Sequence, residues 1–280
     1  MPTVKQHRDF FAQFLVRSVG SKNERLVEAF ATVEREHFVG EGPWPVFVGS
    51  GYIETISDDP RLLYQDILIG LASDRGINNG QPTLHAQCIA SCDPVPGETV
   101  VHVGAGTGYY TAILAHVVGP IGRVIAYEIE SDLASQAKAN LSRVANSTVV
   151  SASGAEGPLP PADVIYVNAG ATHPLRSWLE ALKPGGRLVF PLTPNNSPGV
   201  MLRIQRQPAQ AYSASVICRA AFIPCIGARD DTASESLAKV LDSQSIHRVR
   251  SLRLDTAFDS SAWCVGNKWW LSMAERAGAS

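Results

Sequence analysis

The sequence predicts an α/β fold with a doubly wound, mostly parallel sheet, an antiparallel edge hairpin, an N-terminal helical cap and a C-terminal extension. Strand and helix patterns alternate from Thr99 onwards, which indicates right-handed crossovers between parallel strands. A glycine-rich turn at 104–108 joins the first of these strands to the next helix. After Gly199 two apolar segments follow each other without a full helix between them, which is typical of an antiparallel hairpin.

The alternating part of the chain is predicted to form a Rossmann-like core. Short apolar runs predict its strands, and apolar residues at helical spacing predict its helices. The run at 164–167 is apolar throughout, as expected for a strand covered on both faces. In chain order we predict strand 100–103, helix 110–118, strand 124–127, helix 132–144, strand 148–151, strand 164–167, helix 175–182 closed by a turn at 183–186, and strand 188–190.

The segments on either side of this core are less regular. Ser21 and Glu24 predict a capping box at the start of an N-terminal helix. Residues 40–82 are rich in glycine and proline and predict irregular structure, whereas 200–205 and 216–222 predict the strands of the hairpin. The predicted organisation is an N-terminal helical cap and substrate loop at 1–82, a cofactor-binding Rossmann-like domain at 83–227 and a C-terminal extension at 228–280.

Composition narrows the class of protein. The 280 residues are 45% hydrophobic and 18% charged, which is ordinary for a globular protein. The net charge of -2 argues against a nucleic-acid binder, which usually carries a basic excess. No apolar run reaches the length of about 18 residues that a membrane helix needs, and the N-terminus lacks an apolar signal core, so we expect a cytoplasmic protein without a membrane span. The five scattered cysteines predict no metal site.

The glycine-rich turn is the strongest functional signal. Gly104, Gly106 and Gly108 allow the backbone to turn tightly and to approach a ligand without a Cβ in the way. A dinucleotide fingerprint has the spacing G-x-G-x-x-G, but here Tyr109 stands where the third glycine belongs. This spacing favours a nucleoside cofactor without phosphates. Glu128 follows the next strand, where a carboxylate can accept hydrogen bonds from both hydroxyls of a ribose.

These motifs, with others outside the core, make the chain similar to a known enzyme family. It resembles the protein-L-isoaspartate O-methyltransferases over residues 26–227. The resemblance rests on Val33-Glu34-Arg35-Glu36-His37-Phe38-Val39, Tyr64, Asp66, Gln81-Pro82 with Ala86, the glycine turn with Tyr109, Glu128, Leu182-Lys183-Pro184-Gly185-Gly186-Arg187-Leu188, Pro191 and Phe222-Ile223-Pro224.

The resemblance implies an open sheet with helices on both faces and S-adenosylmethionine as the methyl donor. The cofactor-binding residues that it implies are Gly104, Ala105, Gly106, Thr107, Gly108, Glu128, Gly154 and Ala155.

Two positions depart from the family pattern. Gly80 replaces the serine or threonine whose hydroxyl helps to hold the substrate carboxyl, and Gly154-Ala155 replaces a Gly-Asp pair near the adenine, with Glu156 as the nearest acid. If the rest of the pocket is intact, Gly80→Ser is expected to raise activity on isoaspartyl peptides.

A carboxylate acceptor is already anionic near neutral pH and needs no general base, so the site needs hydrogen-bond donors that orient it. The candidates are Asn79, Gln81, Thr83, His85 and Asn168.

The predicted function is methyl transfer of the protein-L-isoaspartate type to a carboxylate of a protein or peptide. Two alternatives stay open: a related methyltransferase with a different acceptor, such as a peptide natural product or a small carboxylic acid, and a cofactor-binding module without catalysis. Gly80 favours a different acceptor. A nicotinamide dehydrogenase is disfavoured by Tyr109.

Overall fold

The computed structural model describes residues 2–241 and 244–275. Its α-helices are α1 (Val4–Ser18), α2 (Glu24–Thr32), α3 (Pro82–Cys92), α4 (Tyr109–Val118), α5 (Ser131–Asn140), α6 (Arg176–Ala181) and α7 (Asp231–Leu241). Its strands are β1 (Pro45–Phe47), β2 (Tyr52–Glu54), β3 (Gly70–Ala72), β4 (Ile77–Asn78), β5 (Thr99–Val103), β6 (Arg123–Glu128), β7 (Ser147–Ser151), β8 (Ala162–Val167), β9 (Leu182–Leu192), β10 (Gly199–Arg206), β11 (Tyr212–Ala220), β12 (Ser251–Arg253), β13 (Ala262–Gly266) and β14 (Trp269–Ser272).

The chain divides into two compact units. The first comprises Met1–Glu98 and Gly104–Ala152, and the second comprises Thr99–Val103 and Ser153–Ser280. In the first unit α1 packs on α2 and α3, α2 packs on α4, and β6 pairs in parallel with β7. Helix α4 is buried on nearly all sides, which agrees with its apolar sequence.

In the second unit the strands lie in the order β13-β14-β12-β11-β10-β9-β8-β5. The pairs β5–β8 and β8–β9 are parallel, and β10 forms an antiparallel hairpin with β11. The predicted α/β fold class with an antiparallel hairpin is therefore confirmed. The antiparallel part is larger than predicted, because the tail continues the sheet from β11 through β12 and β14 to β13.

Several helices, strands and turns begin or end at other residues than predicted. Helix α5 ends at Asn140 rather than at 144, because the chain closes a turn in which Val144 N–H donates to the Leu141 carbonyl at 2.8 Å. The predicted turn at 183–186 lies inside β9 as a bulge, with Gly185 at φ +78°. The irregular stretch 40–82 contains two short hairpins, β1–β2 and β3–β4.

Asn23, and not Ser21, caps α2. Its side chain accepts a hydrogen bond from Leu26 N–H at 3.2 Å, whereas the Ser21 hydroxyl accepts from Asn23 N–H. Ser21 lies two residues before the N-cap, too early to form the predicted capping box with Glu24. A capping box does form at α1, between Thr3 and Gln6.

We expect Asn23→Ala to lower the free energy of unfolding by about 0.5–2 kcal/mol, the range for a lost N-cap. Ser21→Ala is the matched control and should cost less than about 0.5 kcal/mol, since it removes no cap. Urea denaturation of both variants measures the two losses. Equal losses, or a larger loss for Ser21→Ala, would contradict the assignment of the cap.

No helix within residues 2–241 and 244–275 is long and apolar enough to cross a membrane.

Candidate functional site

The turn between β5 and α4 has a backbone that glycine alone adopts easily. Gly104, Gly106 and Gly108 have φ values of +78°, +56° and +100°. A Cβ on Gly106 would lie 3.2 Å from Leu71 Cδ1, and one on Gly108 would lie 2.9 Å from Leu141 Cδ1. Side chains at these positions would therefore be strained in conformation and crowded by their neighbours.

The N–H groups of this turn are largely used inside the protein. Gly104 and Ala105 both donate to the Tyr127 carbonyl, at 2.9 and 3.1 Å, and Gly108 donates to the Ala105 carbonyl at 3.0 Å. A phosphate-binding turn instead aims its N–H groups at the ligand. This pattern supports the prediction of a cofactor without phosphates.

Glu128 stands at the end of β6 and is buried, with 6% of its surface exposed. Its Oε2 accepts from Gly106 N–H at 2.6 Å, and its Oε1 accepts from Glu130 N–H at 3.0 Å. Burial raises the pKa of this carboxyl, although the backbone N–H groups offset part of the shift. A carboxylate has about four lone-pair sites, so this group can still accept a hydroxyl hydrogen from a ligand.

Thr107, which the sequence predicts to bind the cofactor, has a side chain that forms a hydrogen bond within the protein. Its hydroxyl donates to the Phe38 carbonyl at 2.5 Å, and its own carbonyl accepts from Asn140 Nδ2 at 2.9 Å. The side chain therefore joins the turn to the segment Arg35–Phe38. The role of Thr107 toward the cofactor stays a prediction.

The predicted acceptor loop is organised by Asp66. The Asp66 carboxylate accepts from Gln81 Nε2 at 2.8 Å and from Thr83 N–H at 2.7 Å, where α3 begins. The Asn79 side-chain oxygen accepts from Ile69 N–H at 2.9 Å. Among the three candidates, Gln81 is exposed and has a second amide hydrogen that could reach an acceptor.

His85 fills the space beside Gly80. A Cβ built on Gly80 would lie 2.1 Å from His85 Nε2, and Gly80 has a φ of +73°. The imidazole is 2% exposed and stacks on the Tyr110 ring, with centroids 3.6 Å apart and planes 10° apart. The imidazole occupies the place of a new side chain, so a serine at position 80 would bring a clash together with its hydroxyl.

Three further candidates lie in the second unit. Asn168 follows β8, donates its N–H to the Val103 carbonyl at 2.8 Å, and places Nδ2 2.7 Å from Nε2 of the buried His102. The Gly154 carbonyl accepts from Trp178 Nε1 at 2.8 Å, and Ala155 N–H donates to Ser153 Oγ at 3.2 Å. The roles of Asn168, Gly154 and Ala155 toward a ligand stay predictions.

Arg35 has a role that sequence reasoning missed. Its guanidinium is fully buried and donates to the carbonyls of Leu63, Gln65 and Ile67, at 2.5, 2.9 and 2.7 Å. One arginine thereby holds the segment that carries Asp66. The sequence marked Arg35 as part of a family motif, but nothing in the chain signalled its partners about 30 residues away.

The comparison with known proteins decides the family. The family model of protein-L-isoaspartate(D-aspartate) O-methyltransferase (PCMT) matches residues 7–230. The chain belongs to this family. A protein-L-isoaspartate O-methyltransferase from Aeropyrum pernix is 34% identical over 212 residues, which cover 73% of this chain and 74% of that relative.

Solved structures agree with the PCMT assignment. A protein-L-isoaspartate O-methyltransferase matches with a TM-score of 0.64 and 25% identity, over 78% of this chain and 65% of its own length. A PCMT from Plasmodium falciparum, solved in complex with S-adenosyl-L-homocysteine, has the same fold, with a TM-score of 0.63, 18% identity and coverage of 79% of this chain and 98% of that one.

The predicted family, fold class and S-adenosylmethionine-dependent methyltransferase class are thus confirmed. The match to the PCMT model ends at residue 230, close to the predicted boundary at 227. The three predicted domains themselves stay a prediction, as does the cytoplasmic location.

Proposed function

We propose that this PCMT-family chain transfers a methyl group from S-adenosylmethionine to the carboxylate of an isoaspartyl residue in a protein or peptide. The observation that carries the proposal is the anchored carboxylate of Glu128 beside the bare backbone of Gly106. With a net charge of -2 and thus no basic excess, we expect protein or peptide acceptors rather than nucleic acids or membrane lipids.

The residues of the turn fit the methyl donor. Glu128 would hold the ribose hydroxyls, while Gly104, Gly106 and Gly108 give the turn the backbone conformation that brings Gly106 N–H to this carboxylate. The donor supplies an activated sulfonium methyl when it is bound. The chain therefore has to bind, orient and exclude water rather than activate a nucleophile.

The acceptor loop would orient the carboxylate. Asp66 fixes Gln81 and the first turn of α3, so that the second amide hydrogen of Gln81 is free to meet an acceptor oxygen. An acceptor carboxylate is ionised near neutral pH, and a neutral amide can orient it without protonating it. Gln81 is the residue we assign to this task.

We expect donor affinity to fall on acidification because Glu128 binds hydroxyls as a carboxylate. Its pKa is raised by burial, so protonation begins at a higher pH than for an ordinary carboxyl, whose pKa is about 4.3. The dissociation constant of S-adenosylhomocysteine, measured from neutral pH downwards, should therefore rise as the pH falls through this raised pKa. An affinity that stays constant until the protein unfolds would contradict the assignment.

A different carboxylate acceptor is the second candidate function, and the Gly80–His85 contact favours it. The hydroxyl that the family resemblance implies is absent, and the His85 imidazole lies where a side chain on residue 80 would begin. The acceptor would therefore be held differently from an isoaspartyl group in a relative that carries this hydroxyl. A peptide natural product or a small carboxylic acid would be such an acceptor.

The test is methyl transfer from labelled S-adenosylmethionine to three acceptors at equal concentration: an isoaspartyl peptide, the same peptide with ordinary aspartate, and a small dicarboxylic acid. Labelling of the isoaspartyl peptide alone supports the first proposal. Labelling of either other acceptor in its place supports the second. Binding of S-adenosylhomocysteine without labelling of any acceptor would contradict both.

A further inference from the structure

The β3–β4 hairpin, residues 70–78, lies over the glycine turn. Its strands pair only at Gly70–Asn78 and Ala72–Ile77, with an irregularity between these pairs. The side chain of Leu71 reaches to 3.2 Å from the position that a Cβ on Gly106 would occupy. A short, irregular ladder of this kind holds the hairpin weakly by itself.

Arg75 ties the tip of this hairpin to the segment that follows β6. Its Nη1 lies 2.5 Å from Glu130 Oε2, and its Nη2 lies 2.5 Å from Asp132 Oδ2. One guanidinium thus bridges two carboxylates on either side of Ser131, where α5 begins. This arrangement fixes both partners more firmly than a single exposed pair would.

The same segment supports the proposed ribose-binding acid. Glu130 N–H donates to Glu128 Oε1, so the position of residue 130 sets one of the anchors of that carboxylate. Three acids stand within five residues. Burial is the largest cause of the raised pKa of Glu128, and the charge of Glu130 adds to it. Arg75 pairs its positive charge with Glu130.

We propose that Arg75 is a positioning residue for the methyl donor. It holds the β3–β4 hairpin over the glycine turn and fixes Glu130. Glu130 in turn orients Glu128. The inference rests on the proposed donor site. It predicts that donor binding depends on an ion-pair network that does not itself touch the donor.

The test is titration of the full chain with S-adenosylhomocysteine, which carries no sulfonium charge. We expect Arg75→Ala to weaken binding about 3–10-fold, and Arg75→Lys to recover part of the loss. Wild-type affinity should fall between about 0.1 M and about 1 M salt, over which the Debye length shortens from about 10 Å to about 3 Å, whereas the affinity of Arg75→Ala should change little.

Arg17→Ala is the matched control, since Arg17 forms an exposed ion pair with Glu24 elsewhere in the first unit. It should leave the affinity unchanged. In the Glu130→Gln/Asp132→Asn background, adding Arg75→Ala should cause no further loss. In the methyl-transfer assay Arg75→Ala should raise KM for the donor and leave kcat and the acceptor KM as they are.

Wild-type affinity in folded Arg75→Ala, or a loss that persists in the Glu130→Gln/Asp132→Asn background, would overturn the inference while leaving the proposed function intact. A wild-type chain that binds S-adenosylhomocysteine but methylates no carboxylate would refute the proposed function and not the role of Arg75. A wild-type chain that does not bind it would refute both.

Discussion

Glu128→Ala should weaken binding of S-adenosylhomocysteine by about 1–3 kcal/mol, or roughly 5–150-fold, the range for losing hydrogen bonds to a charged group. The loss has two sources. The variant removes the acceptor for the ribose hydroxyls, and it leaves Gly106 N–H without the partner at 2.6 Å that shapes the turn. Isothermal titration of the folded variant measures the loss directly.

Glu54→Ala is the control, because Glu54 is an exposed acid in β2. It should bind the ligand as the wild type does. Donor affinity that survives Glu128→Ala would remove this residue from the site. An equal loss in both variants would instead show that the effect comes from net charge rather than from the place of the carboxylate.

Gly80→Ser should destabilise the protein rather than raise its activity on isoaspartyl peptides. Two effects should each lower the free energy of unfolding by about 1–3 kcal/mol. One is the strain of a side chain at φ +73°, and the other is its clash with a packed imidazole. His85 has little room to withdraw, because it is buried and stacked on Tyr110. Urea denaturation should show the combined loss, and activity on an isoaspartyl peptide should fall with it.

Two variants separate these costs. Gly20 has the same φ of +73° with nothing within 4 Å, so Gly20→Ser reports the backbone cost alone. In a His85→Ala background, Gly80→Ser should cost no more than Gly20→Ser does in the wild type. If Gly80→Ser costs equally much with and without His85, the imidazole is not the obstacle.

The parts of the site that the sequence predicted are local in the chain. The glycine turn follows directly on a strand, and Glu128 ends the next strand, so periodicity and turn chemistry placed both. The parts that it missed depend on contacts between distant segments. Arg75 pairs with Glu130, which lies more than 50 residues later in the chain. The His85 ring lies where a side chain on Gly80 would be, and residue spacing does not reveal the direction of that ring.

The tail shows the same limit. Trp269 and Trp270 lie in β14, and both are buried. Their pattern did not reveal that β14 would pair with β12 and thereby extend the sheet, because pairing between short strands depends on the partner.

Competition between nucleotides tests the central claim most directly. We expect S-adenosylhomocysteine to bind the chain and adenosine to compete with it, since both carry the ribose that Glu128 would hold. NAD should not compete, because the N–H groups of Gly104, Ala105, Gly106 and Gly108 are already used within the protein. Displacement of S-adenosylhomocysteine by NAD at a similar concentration would contradict a donor site built for a nucleoside without phosphates.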